Sequence, residues 1–350
     1  MKDSQLSRRT FVKMSTAGVA AMSLPALAAA RPGGAAEAAP GAAPQQQGGA
    51  AAQNVIPAWR PGDADSFTRY YFDSLMLEAR YLDSDIPSTK LELFGETFDT
   101  PIMTAALSHL NNPQGGMIIY AKAAAACKAV HWMGMGEDKE LEDIIATGAR
   151  TIKVIKPHES NDEVFRRIRH AVGAGCFAVG MDIDHAFNSQ GKYDNVLGLP
   201  MRPKTTEEIR SFVKAARIPF IIKGVLSVTD AKKCLEAGVA GIVISHHGGH
   251  VPYSCPPLMV LEEIADAVGG KMKIFVDCGV VSGMDAYKAL ALGADAVSVG
   301  RHLMPYLRDG VEATAKRIDA MTAELARAMA VTGVTSLDKM DPTVIHRTLF

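Results

Sequence analysis

Short apolar runs alternate with amphipathic stretches from residue 101 almost to the end of the chain. Eight of these runs have the length of a strand, and we predict strands at residues 101–107, 129–135, 151–155, 177–182, 220–225, 241–245, 273–277 and 296–299. Because the runs are continuously apolar and do not alternate with polar residues, they are typical of parallel strands buried on both faces.

Helical periodicity occupies the stretches between the strands. It predicts helices at residues 163–172, 206–216, 229–237, 257–268 and 283–292, and a longer helix near 310–332 after the last strand. Eight strand–helix units without a large break favour a closed (β/α)8 barrel, the TIM barrel, over an open doubly wound sheet. We expect residues 56–100 to cover the bottom of this barrel and to pack beside the last helix.

The first 54 residues have a different character. Arg8 and Arg9 precede Phe11, Lys13 and an apolar run that ends in small residues, so we predict a twin-arginine export signal at 1–30 and a periplasmic or other extracytoplasmic location. The alternative is an ordinary basic start before a helix. Residues 31–54 are rich in Ala, Gly, Pro and Gln, which predicts a flexible linker and leaves 55–350 for the barrel.

Composition and charge narrow the function classes. The formal net charge of −1 provides no basic field for nucleic acid. The five cysteines show no C-x-x-C spacing and lie mostly in apolar runs, so we predict neither a disulfide framework nor a metal site. The N-terminal apolar run is broken by Gly18 and Pro25 and is a poor membrane span, so none is expected in the mature chain.

Polar residues stand where six of the eight predicted strands give way to loops. From the third strand to the eighth they include Lys156, Asp182, Lys223, His247, Asp277 and Arg301. In barrels of this kind the active residues lie at the carboxyl ends of the strands. The six positions together therefore predict an active site at one rim of the barrel.

The loops after the seventh and eighth strands have the features of a phosphate site. Gly279 and Gly300 allow the backbone to approach a ligand, and Arg301 offers a planar set of donors. A helix that starts near Ser282 would add free backbone N–H groups. These loops are also where such barrels commonly bind phosphate.

Several of these segments resemble the FMN-dependent 2-hydroxy-acid oxidases and dehydrogenases, such as glycolate oxidase and lactate oxidase. The resemblance covers residues 67–340 and is densest from 219 to 301. It is carried by Ile222-Lys223-Gly224-Val225, Ser245-His246-His247-Gly248-Gly249, Val276-Asp277-Cys278-Gly279-Val280 and Val299-Gly300-Arg301. The resemblance implies a TIM barrel with FMN as its cofactor.

The resemblance also implies roles for individual residues. His247 matches the base that takes a proton from the substrate, Asp182 the carboxylate that orients this base, and Lys223 the cation beside flavin N1 and O2. The implied cofactor contacts, besides Lys223, are Ala106, Leu107, Ser108, Ser245, Asp277, Cys278, Gly279, Gly300 and Arg301.

The departures from the family cluster on the substrate side. The family has arginine three residues after the catalytic histidine, where this chain has His250, and tyrosine after the third strand, where it has Lys156. We therefore predict Lys156 and His250 as replacement substrate contacts, with Arg202 and His185 as alternative sources of the cation. A further alternative is a substrate that is not a simple 2-hydroxy acid. As alternatives, His250 caps a loop, and His246 is a rim residue bonded to the backbone.

Three functional interpretations follow. The first is an exported FMN oxidoreductase that oxidises a 2-hydroxy-acid-like small molecule, with oxygen, a quinone or a periplasmic carrier as acceptor. The second is an FMN barrel with another reaction, as in the type 2 isopentenyl-diphosphate isomerases, although the closely spaced basic pair that a diphosphate needs is not evident. The third is a flavin-binding protein with little catalysis. A homo-oligomer is compatible with each of them.

Overall fold

The computed structural model describes residues 62–348, so the predicted export signal and linker lie outside the described residues. The described strands are β1 Leu75–Leu77, β2 Leu91–Leu93, β3 Glu96–Phe98, β4 Ile102–Thr104, β5 His131–Met133, β6 Thr151–Ile155, β7 Ala178–Asp182, β8 Asn195–Val196, β9 Leu199–Pro200, β10 Phe220–Val225, β11 Gly241–Ile244, β12 Lys273–Val276, β13 Ala296–Val299 and β14 Ile345–Arg347. The described helices are α1 Ala64–Asp73, α2 Gly116–Ala126, α3 Asp138–Ile145, α4 Asn161–Gly173, α5 Thr206–Ala216, α6 Val228–Glu236, α7 Pro257–Val268, α8 Gly283–Ala291, α9 Met304–Leu307 and α10 Gly310–Val331.

Eight parallel strands form the barrel that the sequence predicts, in the order β4-β13-β12-β11-β10-β7-β6-β5. The two end strands of this order are joined by backbone hydrogen bonds from Thr104 to Val130 and from Gly134 to Leu107, of 3.1 and 2.8 Å. A parallel bridge between Leu107 and Met133 completes this seam. The predicted first and second strands are each several residues longer than β4 and β5, because only the middle of each apolar run has ladder hydrogen bonds.

Local sequence explains where four of the outer helices begin. Ser160, Thr205, Ser227 and Ser282 each precede a helix, and each side-chain oxygen accepts a hydrogen bond from the backbone N–H three residues later. Such caps satisfy donors that have no partner within the helix. They fix the starts of α4, α5, α6 and α8 directly after the loops that follow the strands.

The barrel interior is filled by large side chains. Trp132 of β5 packs edge-on against Phe275 of β12, with ring centroids 5.5 Å apart. The hairpin β2–β3 adds Leu91, Leu93 and Phe98 to the same buried cluster. The hairpin thus closes the end of the barrel where the strands begin, as expected for part of residues 56–100.

Helix α1 departs from that expectation. Its Thr68 hydroxyl is 2.7 Å from His246 Nε2, and its Arg69 donates to the carbonyl oxygen of Gly279 at 2.9 Å. Both partners lie in loops after barrel strands, at the carboxyl ends. Helix α1 therefore lies at the mouth, and the expectation that all of 56–100 covers the bottom is wrong. None of the helices within 62–348 is long and apolar enough to cross a membrane.

Candidate active site

A buried lysine occupies the centre of the mouth. Lys223 is paired in register with Asp182 of the neighbouring strand, so the two side chains lie at the same level of the barrel. Lys223 Nζ is 3.5 Å from carboxylate oxygens of both Asp182 and Asp277, and it donates to Ser245 Oγ at 3.1 Å. Burial alone would lower the pKa of Lys223, but the two carboxylates raise it above its ordinary value. The ammonium group is therefore a fixed positive charge.

Asp182 is held by two lysines. Its Oδ2 accepts a hydrogen bond of 2.7 Å from Lys156 Nζ, and its Oδ1 faces Lys223. Burial would raise the pKa of this carboxyl group, but Lys223 and Lys156 outweigh burial and hold it below its usual range. Lys156 is consequently neutralised by Asp182, and the prediction of Lys156 as a substrate contact gains no support from its position.

Asp184, not Asp182, holds the ring of His247. His247 Nδ1 is 3.0 and 3.1 Å from the two Asp184 carboxylate oxygens, whereas the nearest Asp182 oxygen is 3.9 Å away. The nearer carboxylate is thus Asp184, while Asp182, the residue predicted to orient His247, keeps a longer ionic contact with it. The physical reason is that Asp182 ends β7 inside the barrel between two lysines, while Asp184 follows in a short 3-10 turn on the loop side.

A glycine makes room for this second carboxylate. Gly224 has a φ of +97°, and a Cβ atom there would lie 2.8–3.0 Å from the Asp184 side chain. The same residue marks a register irregularity between β10 and β11. The Lys223-Gly224 pair thus places a cation inward and leaves space for Asp184 directly beside it.

The backbone at His247 is strained. Its φ is +53°, in the left-handed region that residues other than glycine seldom adopt, and Gly248 and Gly249 follow with φ of +68° and +79°. Ser245 Oγ accepts a hydrogen bond of 3.1 Å from the His247 backbone N–H and fixes the turn. Strain of this kind is characteristic of functional positions.

His246 has a structural role. Its Nδ1 accepts a hydrogen bond of 2.9 Å from the Gly249 backbone N–H, so its Nε2 carries the proton that Thr68 Oγ1 accepts. This agrees with the alternative that His246 is a rim residue bonded to the backbone. His250 also stands apart from the reaction cavity described next, with its ring centroid 4.7 Å from that of His185 and 6.2 Å from that of His247.

A cavity of about 600 Å³ opens beside Lys223 and His247. This volume lies within the range of small-molecule sites. The cavity wall is formed by Ala105, Ala106, Leu107, Lys223, His247, Gly248, Asp277, Cys278, Gly279, Val280, Val281, Ser298, Gly300, Arg301 and His302. The wall includes eight of the ten predicted cofactor contacts. The other two, Ser108 and Ser245, accept hydrogen bonds from Met135 N and Lys223 Nζ.

One end of the cavity is built from backbone. Cys278 and Gly279 both line the cavity and both have left-handed conformations, with φ of +65° and +77°; successive residues of this kind can form anion-binding concavities. Burial and the Asp277 carboxylate raise the pKa of the Cys278 thiol to about 12, so it stays protonated. Arg301 is also at this end, where its Nη1 is 2.7 Å from Asp65 Oδ2 of α1.

The chain belongs to the FMN-dependent dehydrogenase family, whose profile matches residues 63–209 and 202–347. The cofactor is FMN, and the protein is an oxidoreductase of the 2-hydroxy-acid oxidase type. The resemblance, the barrel and the cofactor predicted from the sequence are thereby confirmed.

Two curated relatives illustrate the similarity. A peroxisomal (S)-2-hydroxyacid oxidase of Arabidopsis thaliana is 29% identical, over 76% of this chain and 84% of the relative. A 4-hydroxymandelate oxidase of Amycolatopsis orientalis is 28% identical, over 71% and 80%. Among solved structures, a mandelate oxidase variant with an FMN adduct superposes with a TM-score of 0.74 at 27% identity, covering 83% of this chain and 92% of that one.

The residues present fit FMN. The glycine-lined end of the cavity with Arg301 suits a phosphate, and the buried Lys223 charge suits the pyrimidine side of a flavin ring. The sequence missed two residues of this site, Asp184 and Asp65. The signal for Asp184 was a second carboxylate two positions after a strand end, and no local signal distinguished Asp65, which reaches the site from α1.

Proposed function

We propose that this protein oxidises a 2-hydroxy acid to the 2-oxo acid, with His247 as the general base. The observation that carries the proposal is the position of His247, in the cavity wall with its Nδ1 held by Asp184. Because a carboxylate only accepts hydrogen bonds, Nδ1 carries the ring proton and Nε2 has a free lone pair. Nε2 is therefore the atom that takes the proton of the substrate hydroxyl group.

The charges around His247 suit this step. Asp184 stabilises the imidazolium that forms when His247 accepts the proton. When bound, FMN supplies the two-electron acceptor for the hydride that leaves the substrate carbon. Lys223 keeps a fixed positive charge at the cavity wall, where it stabilises negative charge that develops during the reaction.

Relatives guide the choice of substrates. Their names refer to (S)-2-hydroxy acids, lactate and 4-hydroxymandelate. The FMN-loaded protein should be mixed without oxygen with glycolate, (S)-lactate and (S)-mandelate, and the visible flavin absorbance should be followed. We expect at least one of these acids to bleach the flavin, because it transfers two electrons to it.

The same measurement separates the other interpretations. If no hydroxy acid bleaches a flavin that dithionite does reduce, His247 is not the base of such a reaction in this protein. Bound flavin that no small substrate reduces would favour a flavin-binding role. Reoxidation by air with release of peroxide would identify oxygen as the acceptor, and slow reoxidation by air would favour a quinone or a carrier.

We further propose that the chain is exported in the folded state with FMN bound. Support comes from the Arg8-Arg9 pair, with Phe11 and Lys13 at the spacing of a twin-arginine signal. Replacement of both arginines by lysine should leave the protein in the cytoplasm of the producing bacterium. A variant that still reaches the periplasm would contradict this route.

A further inference from the structure

Three side chains gather at the edge of the mouth without being part of the cavity wall. His185, Asp194 and His250, here called the histidine cluster, each offer one potential ligand atom, and these three atoms lie within 4.8 Å of one another. His185 Nδ1 and Asp194 Oδ2 are 3.3 Å apart. The rings of His185 and His250 have centroids 4.7 Å apart.

The 3.3 Å separation between His185 Nδ1 and Asp194 Oδ2 suits two ligands of one metal ion. With bonds of about 2.0–2.1 Å, two ligands of a tetrahedral zinc ion lie roughly 3.3 Å apart. A simple hydrogen bond would also explain the contact between His185 and Asp194. That hydrogen bond does not explain why His250 also lies next to His185. His250 is brought there by the turn through His247, Gly248 and Gly249, all in left-handed conformations.

The carboxylate of the cluster is held in place from behind. Asp194 Oδ1 accepts a hydrogen bond of 2.8 Å from the Asn195 backbone N–H, which leaves Oδ2 directed at His185. The backbone of Asp194 is tied on both sides, by bonds to Ala186 O and from Met201 N of 3.2 and 2.8 Å. Supporting hydrogen bonds of this kind orient metal ligands and raise their affinity.

The local charge also favours a cation. Asp182, Asp184 and Asp194 lie on this side of the mouth, and the two lysines there, Lys156 and Lys223, both pair with Asp182, whereas Asp184 and Asp194 face histidines. Because Lys223 also faces Asp277, the carboxylates exceed the lysines. A divalent ion at the histidine cluster would offset this excess.

We propose that His185, Asp194 and His250 bind a divalent transition-metal ion such as Zn²⁺. Two imidazoles and one carboxylate are a set that zinc and iron(II) accept, and three protein ligands leave at least one coordination position open. This proposal departs from the expectation of no metal site, which rested on the spacing of the cysteines and not on histidines in separate loops.

The site would contribute a cation next to the reaction. The His185 ring is 4.7 Å from the His247 ring, so a metal ion bound by His185 would lie near the proposed base. This part rests on the proposed function. There the ion would bind the carboxylate of the hydroxy acid. Lys156 is not available to bind this carboxylate, because Asp182 neutralises the lysine.

The test uses the full chain loaded with FMN, stripped of metal with a chelator and titrated with zinc chloride in a calorimeter. We expect one Zn²⁺ per chain with a Kd of about 1 µM or lower. His185→Asn and His250→Asn should each weaken binding at least about 100-fold. The matched control is His170→Asn, a partly exposed histidine beside Asp138 and Glu142, which should not change the Kd.

Absence of stoichiometric zinc binding to the unaltered protein would overturn the proposal, whatever the variants do. Binding that survives in both cluster variants, with flavin absorbance unchanged, would overturn it as well. The titration needs no substrate, so it separates this site from the proposed function. Tight zinc binding without flavin bleaching by any hydroxy acid would leave the metal site intact and refute the oxidation.

Discussion

The two halves of the barrel mouth are built in different ways. In the flavin half, formed by residues 105–107, 277–279, 300 and 301, the cavity wall contains two glycines, Gly279 and Gly300, and a cysteine, Cys278, in a left-handed conformation. In the substrate half, formed by residues 156, 182–185 and 247–250, charged side chains from separate strands pair with one another. The comparison indicates that short glycine-containing motifs form the cofactor end of the mouth, while the pairing of side chains determines which groups remain available for a substrate.

The largest effect is expected in the substrate half, from His247→Asn. Loss of the base should slow anaerobic flavin reduction by the preferred hydroxy acid about 10³-fold. FMN affinity should stay the same, since the flavin half is untouched. Stopped-flow absorbance and a fluorescence titration of FMN measure the two quantities, with His346→Asn, an exposed histidine, as the control. A tenfold or smaller loss of rate would show that another group takes the proton.

The same contrast explains what the sequence could predict. The helices α5 and α7 and the strands β6, β10 and β13 have the predicted bounds, because each combines a strong apolar period with a clear start or stop. The flavin half was also predictable, since its contacts come from short motifs such as Gly300-Arg301 in which neighbours in sequence are neighbours in space.

The substrate half could not be predicted in this way. Asp182 ends β7 and Asp184 follows two residues later, and the contacts of Asp182 with Lys156, directly after β6, and with Lys223 leave Asp184 as the nearer carboxylate to His247. His185 and His250 meet because two loops fold toward each other, which no local pattern encodes. Helix α1 was assigned to the wrong end of the barrel for the same reason.

Lys223→Met tests the residue that both halves share. Lys223 Nζ lies 3.5 Å from carboxylate oxygens of both Asp277 on the flavin side and Asp182 on the substrate side, so its loss removes a buried positive charge that both carboxylates face. We expect a loss of about 3 kcal/mol in the free energy of unfolding, the low end for a broken buried pair, because Lys156 still holds Asp182. Urea unfolding measures it, with the exposed Lys233→Met as the control.

If Lys223→Met cost no more stability than Lys233→Met, the carboxylates around it would be protonated or hydrated. In that event the division of the mouth into two charge-coupled halves would not hold.

Arg301→Met should affect the flavin half alone. A hydrogen bond to a charged group contributes about 1.5–3 kcal/mol, so the Kd for FMN should rise about 10- to 100-fold. The rate of flavin reduction at saturating FMN should stay within about twofold, because the charge pairs of the substrate half are unchanged. Arg308→Met, at an exposed arginine, is the control. Unchanged FMN affinity would mean that Asp65 keeps Arg301 away from the phosphate.

The smallest expected effect is a loss of folding stability at acidic pH, and it arises beside the flavin half of the mouth. His131 of β5 is fully buried behind the flavin wall, with its Nδ1 2.7 Å from Thr104 Oγ1, and burial lowers its pKa from 6.5 to about 3. The folded protein keeps this ring neutral while the unfolded chain protonates it, so its contribution to stability is complete above pH 6.5 and is lost as pH falls toward 3. Between pH 7 and 5 His131 accounts for a loss of about 2 kcal/mol in the free energy of unfolding, whereas the paired Asp182, whose pKa is held low, contributes no loss in this range.

Urea unfolding at pH 7 and pH 5 measures this loss. The decrease in the free energy of unfolding should be about 2 kcal/mol smaller in His131→Gln than in the unaltered protein, and it should be unchanged in the exposed His346→Gln. His158, whose pKa burial lowers to about 4, adds the same loss to all three proteins and cancels in the comparison. Equal drops in His131→Gln and the unaltered protein would mean that water reaches His131 through the seam between β4 and β5, and that the flavin half is less tightly closed than its geometry indicates.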